Sequence, residues 1–211
     1  MQIQDTLQER TADRAVLATV VPDARDPWDQ AVRSLCGAQP LWVGCRTPLG
    51  IPITYPNPET IGADRLANAS AAAGRYGVPV IVVDFGTALT FDVILPDQGF
   101  VGGVIAPGPS LMLDYLADRT ARLPSVKPAP VRRVVGKSTE ESMRIGAHYG
   151  YWGMVRGILD PLTANVGTRG LTLCATGGHA RRLPRAMLPD IRIVPELTLF
   201  GLGHIGELNL G

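Results

Sequence analysis

The run Val80-Ile81-Val82-Val83-Asp84-Phe85-Gly86-Thr87-Ala88-Leu89-Thr90-Phe91-Asp92-Val93-Ile94 constrains the fold more than any other part of this sequence. It opens as a continuous apolar stretch rich in β-branched residues, the pattern of a strand buried on both faces. Asp84, Gly86 and Thr87 interrupt it, and the strand pattern resumes over Phe91 to Ile94, which predicts a hairpin. An acid at the mouth of a buried hairpin is costly unless something pairs with it. Gly86 lets a ligand approach the backbone, and Thr87 and Thr90 add hydroxyls beside it. Such parts suit phosphate and cation handling, with Asp84 for a metal ion and main-chain N–H groups and Thr hydroxyls for phosphate oxygens. An ordinary hairpin whose Asp84 caps a turn uses the same residues, so this stretch alone leaves both readings open.

The 211 residues suffice for one large domain or two small ones with a sizeable core. With 45% hydrophobic and 18% charged residues the composition is globular, and a formal net charge of +1 argues for neither nucleic acid nor an anionic membrane as partner. Cys36, Cys45 and Cys174 are scattered without metal-ligand spacing and fit free thiols in a reducing cytosol. No apolar run approaches the roughly 20 residues that span a bilayer, and the polar start, Met1 to Asp13, does not read as a signal peptide. A cytoplasmic protein is expected.

Met1 to Arg14 carries Ile3 and Leu7 at helical spacing and predicts a short surface helix or a loose end. Ala15 to Val21 reads as a buried strand, Asp26-Pro27 as a helix start, and Trp28, Ala31, Val32 and Leu35 as the apolar stripe of that helix. With a second strand at Leu41 to Gly44 this is a β-α-β unit, which implies parallel pairing. Pro48, Pro52, Pro56 and Pro58 stiffen an extended segment carrying Tyr55 and Asn57. Thr60 to Arg65 opens a helix reaching about Gly74, with Asp64 and Arg65 in its first turn, where the helix dipole favours a carboxylate. An adjacent acid and guanidinium there suit a general base with a substrate anchor. A solvated charge pair beside a helix start would look the same.

Beyond the hairpin, Gly99 to Gly108 reads as a strand edge followed by a glycine-rich loop. Ser110 to Arg122 predicts a helix with Leu111, Met112, Tyr115 and Leu116 on one face, for a core or a dimer interface. Arg133 to Gly136 is strand-like, and Ser138 with Glu141 forms a capping box that starts a helix from Thr139 to about Leu159. Gly146, Gly150, Gly153 and Gly157 on that helix predict a tight helix–helix contact, in the core or between subunits, and His148 and Trp152 share a face, with packing expected for the histidine. Thr172 to Gly178 is a buried strand opening into a glycine pair, a place where a nucleotide can lie against the backbone. A short helical stretch follows over His179 to Met187, and Arg181, Arg182 and Arg185 read as a solvated face. A strand at Ile191 to Val194 precedes a helix from Pro195 to Leu208 with Leu199, Leu202 and Ile205 inward.

Seven pieces in this order carry a family resemblance: Tyr55-Pro-Asn-Pro-Glu-Thr-Ile-Gly-Ala-Asp-Arg65, Val83-Asp-Phe-Gly-Thr-Ala-Leu-Thr-Phe-Asp92, Gly102-Gly-Val-Ile-Ala-Pro-Gly108, Leu123-Pro124, Gly136-Lys-Ser-Thr139, Thr176-Gly-Gly178 and Leu197-Thr-Leu-Phe-Gly-Leu202. Together the chain resembles the type III pantothenate kinases of the acetate and sugar kinase, heat-shock ATPase and actin superfamily. The resemblance implies an α/β, ribonuclease H-like actin/sugar-kinase fold, with a truncated first lobe over residues 1–75 and a complete second lobe over 76–211. It also implies ATP-dependent phosphorylation of the 4′-hydroxyl of pantothenate, the first step towards coenzyme A, with Mg²⁺ and a monovalent cation, K⁺ or NH₄⁺.

At matching positions the resemblance makes Asp64 the catalytic base and puts Tyr55, Gly62, Ala63 and Arg65 in the pantothenate site. Asp84 resembles the monovalent-cation ligand, Gly86 and Thr87 belong to an ATP-phosphate hairpin, and Thr176, Gly177 and Gly178 match the adenosine-side turn. Thr139 would reach pantothenate across a homodimer interface. Two departures stand out. Leu89 replaces the family's usual Thr, and the Asp-x-Gly-Asn-Thr hairpin that handles Mg²⁺ and the ATP phosphates is absent from the sequence. Three readings follow: a kinase subunit whose hairpin comes from a partner chain or a longer product; a non-catalytic binding or regulatory relative; or a weak kinase using the second hairpin alone. Retention of Tyr55, Asp64, Arg65, Asp84, Thr87 and Thr139 favours the first.

Overall fold

The computed structural model describes residues 12–184 and 188–211. The expected helix or loose end before Ala12 and the stretch around Arg185 to Met187 lie outside the described residues. Elements run β1 (Val16–Leu17), α1 (Arg25–Cys36), β2 (Leu41–Trp42), α2 (Ala63–Tyr76), β3 (Val80–Phe85), β4 (Ala88–Leu95), β5 (Gly99–Pro107), α3 (Pro109–Arg119), α4 (Thr139–Val166), β6 (Thr172–Thr176), β7 (Arg192–Ile193) and α5 (Leu197–Leu210). The protein is mixed α/β. A five-stranded sheet has the order β5-β4-β3-β6-β7, and β1 and β2 form a separate pair.

The chain divides into two compact units. One holds the described residues up to Val80 with Asp92–Gly102 and Glu196–Gly211; the other holds Ile81–Phe91 and Gly103–Pro195. In the first, β1 and β2 pair in parallel, Val16 opposite Leu41, as the β-α-β pattern requires. Asp29 of α1 accepts from Trp42 Nε1 at 3.1 Å and from Arg33 at 2.7 Å, fastening the helix to β2. These two donors hold its carboxyl below the ordinary value.

The helix α2 owes its position to small residues. Leu66, Ala67, Ala69 and Ala72 are fully buried, and α5 packs against them so closely that a Cβ on Gly201 would strike the Ala67 carbonyl. Thr198 Oγ1 donates to buried Asn68 at 2.7 Å, and Ser70 Oγ to the Leu49 carbonyl at 2.7 Å, so the polar groups on this buried face are used. The inward residues of α5 are Leu197, Gly201 and Ile205. Leu199, expected inside, is 67% exposed, because the helix begins at Leu197 and turns its Gly201 face to α2.

In the second unit, Ile81 to Val83 and Phe85 are wholly buried, as the apolar run predicts. Strand β4 begins at Ala88, so the turn of the hairpin is only Gly86-Thr87. Gly102 and Gly103 lie inside β5, not in a loop, and the strand continues to Pro107. Arg133 to Gly136 forms no strand; Val134 and Val135 are exposed. Ser138 caps α4, accepting from Glu141 N at 3.2 Å, while the Glu141 carboxylate reaches back to Lys137 N at 2.7 Å. The helix α4 runs on through Pro161 to Val166, beyond the expected end.

Leu113, Val126, Met143 and Ala147 form the core between α3 and α4. The expected α3 stripe is not that core: Leu111, Tyr115 and Leu116 are exposed. A Cβ added at Gly146, Gly153 or Gly157 meets nothing within 4 Å among the described residues, so these glycines make no tight contact within this unit.

Candidate functional site

The expected site residues fall into groups, one in the first unit and two in the second. In the first unit the proline-stiffened segment and β5 are tied by main-chain bonds: Phe100 N to Pro52 O at 2.9 Å and Thr54 N to Phe100 O at 3.0 Å. That pairing presents Tyr55 edge-on to Phe100, with ring centroids 6.2 Å apart. Gly102 beneath has φ +139°, and an added Cβ would stand 3.5 Å from the Tyr55 ring.

Asp64 and Arg65 occupy the first turn of α2, as expected. The Asp64 carboxylate accepts the Arg65 backbone N–H at 2.8 Å, and it lies back over Gly62, where a Cβ would meet Oδ1 at 2.5 Å. A side chain at 62 would push the carboxylate out of this position. Arg65 extends to Asp92 on β4, with Nε and Nη2 donating to Oδ1 at 2.8 and 2.5 Å. Asp92 is wholly buried, the Arg65 side chain is 15% exposed, and the guanidinium stands 5.6 Å from the Phe100 ring centroid. A charge-assisted pair and a ring face thus hold Arg65 in one place. The result is a half-buried carboxylate beside a fixed cation with an aromatic wall: parts that can take a proton and anchor an anionic substrate.

Asp92 closes one of the quoted motif pieces but has no role assigned by it, and Phe100 lies in none of those pieces. A signal existed for Asp92, since an acid between Phe91 and Val93 in a fully apolar strand must have a buried partner.

In the second unit three backbone turns meet. The Gly86-Thr87 turn is pinned by Gly108 N donating to Thr87 O at 3.0 Å, and a Cβ on Gly108 would collide with that carbonyl. The turn after β6 is fastened to β3 by His179 N donating to Phe85 O at 3.0 Å. Gly177, with φ +90°, passes so close to Asp84 and the Phe85 backbone that a Cβ would overlap both. Asp84, Gly86, Thr87, Gly177 and Gly178 are therefore brought together at the end of β3. Thr87 and Gly178 are exposed, whereas Thr176 is buried and donates to Pro195 O at 3.3 Å.

Tyr151 of α4 packs its ring on Phe85 and Trp152, at centroid distances of 6.5 and 5.0 Å. Burial foremost, and then the Asp84 carboxylate, push its phenol above the ordinary value, so it stays protonated. Tyr151 also lines a cavity of about 440 Å³ with His148, Trp152, His179, Arg182 and Pro109. His148 thus borders a cavity and is only partly buried. Among the described residues no three His, Cys, Asp or Glu side chains converge as a metal site. A cation at Asp84 would draw its other oxygens from hydroxyls, carbonyls, water or phosphate.

Thr139 is exposed at the start of α4. It borders an apolar groove of about 930 Å³ lined by Leu111, Met112, Tyr115, Leu116 and Gly146 among others.

A family model described as type III pantothenate kinase matches residues 1–161. A type III pantothenate kinase of Akkermansia muciniphila is 46% identical over 94% of this chain and 80% of its own length. One of Methylacidiphilum infernorum is 47% identical over 76% of this chain and 60% of its own length, and one of Moorella thermoacetica is 40% identical over 92% and 76%. Among solved structures, a Baf-family protein of Campylobacter jejuni superposes with a TM-score of 0.61 at 17% identity, covering 98% of this chain and 88% of that one; it shares the fold. By the family match and these identities, the chain belongs to the type III pantothenate kinase family.

Proposed function

We propose that this protein is a kinase subunit that transfers the γ-phosphoryl group of ATP to the 4′-hydroxyl of pantothenate, in coenzyme A biosynthesis in the cytoplasm. The observation carrying this reading is the Asp64–Arg65–Asp92 arrangement: a carboxylate held by a main-chain N–H at 2.8 Å beside a guanidinium fixed on a buried acid.

In this reading the Asp64 carboxylate takes the hydroxyl proton as the pantothenate oxygen bonds to the γ-phosphorus. The bond from that phosphorus to the β–γ bridging oxygen breaks, and ADP leaves. Arg65 anchors the pantothenate carboxylate, with Tyr55, Gly62 and Ala63 forming the rest of its seat. Gly86, Thr87 and the main chain of the hairpin turn hold phosphate oxygens, and Gly177-Gly178 takes the adenosine side. Asp84 is the ligand of a monovalent cation, K⁺ or NH₄⁺. Asp84 lies beside the Gly86-Thr87 turn and the Gly177 backbone, next to the groups that this reading gives to phosphate. The ion would offset phosphate charge. Mg²⁺, which the family resemblance implies, would be held by one or two carboxylates together with the ATP phosphates, and no step is assigned to it.

The sequence holds no Asp-x-Gly-Asn-Thr hairpin; the reading assigns that element to a partner chain or to sequence outside these residues. The lobe division at residues 75 and 76 and the ribonuclease H-like ancestry belong to the same proposal. So does homodimerisation, supported by the exposed Leu111, Tyr115 and Leu116 and by Gly146 of α4, which lines the groove that Thr139 borders. The test is ADP release with pantothenate, ATP, Mg²⁺ and K⁺, with Asp64→Asn as control. Loss of turnover in the variant supports the base assignment. Binding of pantothenate or ATP without turnover, even with a hairpin-bearing partner, would instead favour a non-catalytic binding or regulatory subunit.

A further inference from the structure

Phe100 has no part in the proposed reaction, yet two side chains of the pantothenate seat rest on its ring. The segment that bears Tyr55 is bonded to this residue through both its N–H and its carbonyl, at Pro52 O and Thr54 N. Gly99 precedes it at φ +64°, and a Cβ there would strike the Pro52 carbonyl, so only glycine lets the segment lie this close. The Phe100 ring is wholly buried. Tyr55 stands nearly perpendicular to it, at an interplanar angle of 83°, and Gly102 leaves the space that the Tyr55 ring takes. The Arg65 guanidinium lies over the same Phe100 ring, 5.6 Å from its centroid. Its Nε and Nη2 both donate to Asp92 Oδ1, and a guanidinium can pivot about one shared oxygen. The ring beneath limits that pivot.

We infer that Phe100 is the positioning residue of the acceptor seat: its buried ring fixes the spacing between the Tyr55 ring and the Arg65 guanidinium. That spacing then decides how an anionic acceptor lies between an aromatic contact and a cation. The inference rests on the reading of Tyr55 and Arg65 as the pantothenate seat. Phe100 is inaccessible and meets no substrate itself, so it acts through these two neighbours. Leucine in its place would stay apolar and fill much of the volume. It would offer no ring face to the guanidinium and no ring for Tyr55 to meet at a right angle.

The experiment titrates pantothenate into the 211-residue chain by isothermal calorimetry, in KCl, so that no turnover is needed. Wild type, Phe100→Leu, Tyr55→Leu and the double variant are compared. Val32→Ala, which removes core volume from α1 in the same unit, is the control for lost stability alone. Phe100→Leu is expected to raise Kd about fivefold or more through lost preorganisation, while Val32→Ala melts earlier and keeps the wild-type Kd. In the double variant the loss is expected to fall short of the product of the two single losses, because Phe100 acts partly through Tyr55. A Phe100→Leu Kd within about twofold of wild type, or single losses that simply multiply, overturns the inference and leaves the seat standing. An equal loss in Val32→Ala overturns it too, since stability alone would then explain the effect. Absence of pantothenate binding in wild type overturns the reading of the seat, and the inference with it. Should Phe100→Leu give no cooperative melt, Phe100→Met, longer and more adaptable, takes its place and is judged by the same outcomes.

Discussion

Replacing Asp92 with Asn tests the geometry of the anionic-substrate anchor. The change keeps the shape and a carbonyl acceptor but removes the charge opposite Arg65. Asp92 is inaccessible and the Arg65 side chain 15% exposed, so water cannot make good the loss. Two charge-assisted bonds, each worth about 1.5–3 kcal/mol, become neutral-acceptor bonds worth about 0.5–1.5 kcal/mol. The expected net cost is about 2–3 kcal/mol, below the roughly 3–5 kcal/mol for stripping a buried pair of one partner outright. For a chain of this size that lowers the melting temperature by roughly 5–10 °C. Freed from its fixed acid, the guanidinium loses preorganisation, and KM for pantothenate is expected to rise about tenfold or more while kcat changes less. Scanning calorimetry and initial-rate kinetics read the two effects. An Asp92→Asn protein that melts within about 1 °C of wild type and keeps its KM would refute the claim that Asp92 holds Arg65 in place.

Gly201→Ala should destabilise the α2–α5 contact by roughly 1–3 kcal/mol in urea unfolding, since a Cβ there strikes the Ala67 carbonyl; an unchanged midpoint would mean the helices are not packed this closely. Ser138→Ala should cost about 1 kcal/mol by removing the acceptor for Glu141 N, with urea unfolding again the measure. Tyr151 gives an alkaline prediction. Its phenol is raised in the fold above about 10 for an unfolded tyrosine, so the folded chain retains a proton that the unfolded one releases. Its contribution is intact below about pH 10 and declines as pH rises further, by up to about 1.4 kcal/mol per pH unit. Urea unfolding at pH 9 and 11 should show a smaller drop for Tyr151→Phe than for wild type.

Patterns that depend on local chemistry were legible in the sequence. The β-branched run Val80 to Val83 can only be a strand buried on both faces, and it is. Ser138 with Glu141 marked a helix start to the residue, because the cap satisfies donors that every helix start leaves open. Asp64 and Arg65 fell in the first turn of α2 for the same kind of reason.

What failed depended on partners distant in sequence. Leu199 looked inward by periodicity, yet the face of α5 that is buried was chosen by Gly201, whose lack of a side chain admits α2. Arg133 to Gly136 has strand-like residues but no strand to pair with. Gly102 and Gly103 suggested a loop, whereas β5 keeps its ladder and leaves space for Tyr55 at Gly102. Of the two places expected for the α3 stripe, a core or a dimer interface, the core is ruled out within this chain, because only Leu113 of that helix is buried. The anchor of Arg65 is 27 residues away on β4, and no spacing rule links the two.

The most direct test of the central claim is ATP-dependent phosphorylation of pantothenate, followed as ADP release in the presence of Mg²⁺ and K⁺. It is run on the chain alone and then with a partner bearing an Asp-x-Gly-Asn-Thr hairpin, for wild type and Asp64→Asn. The proposed mechanism predicts turnover that needs pantothenate and the hairpin, and that falls by roughly 10²–10⁴ in Asp64→Asn. Turnover undiminished in Asp64→Asn, or none in wild type with the hairpin supplied, would contradict it.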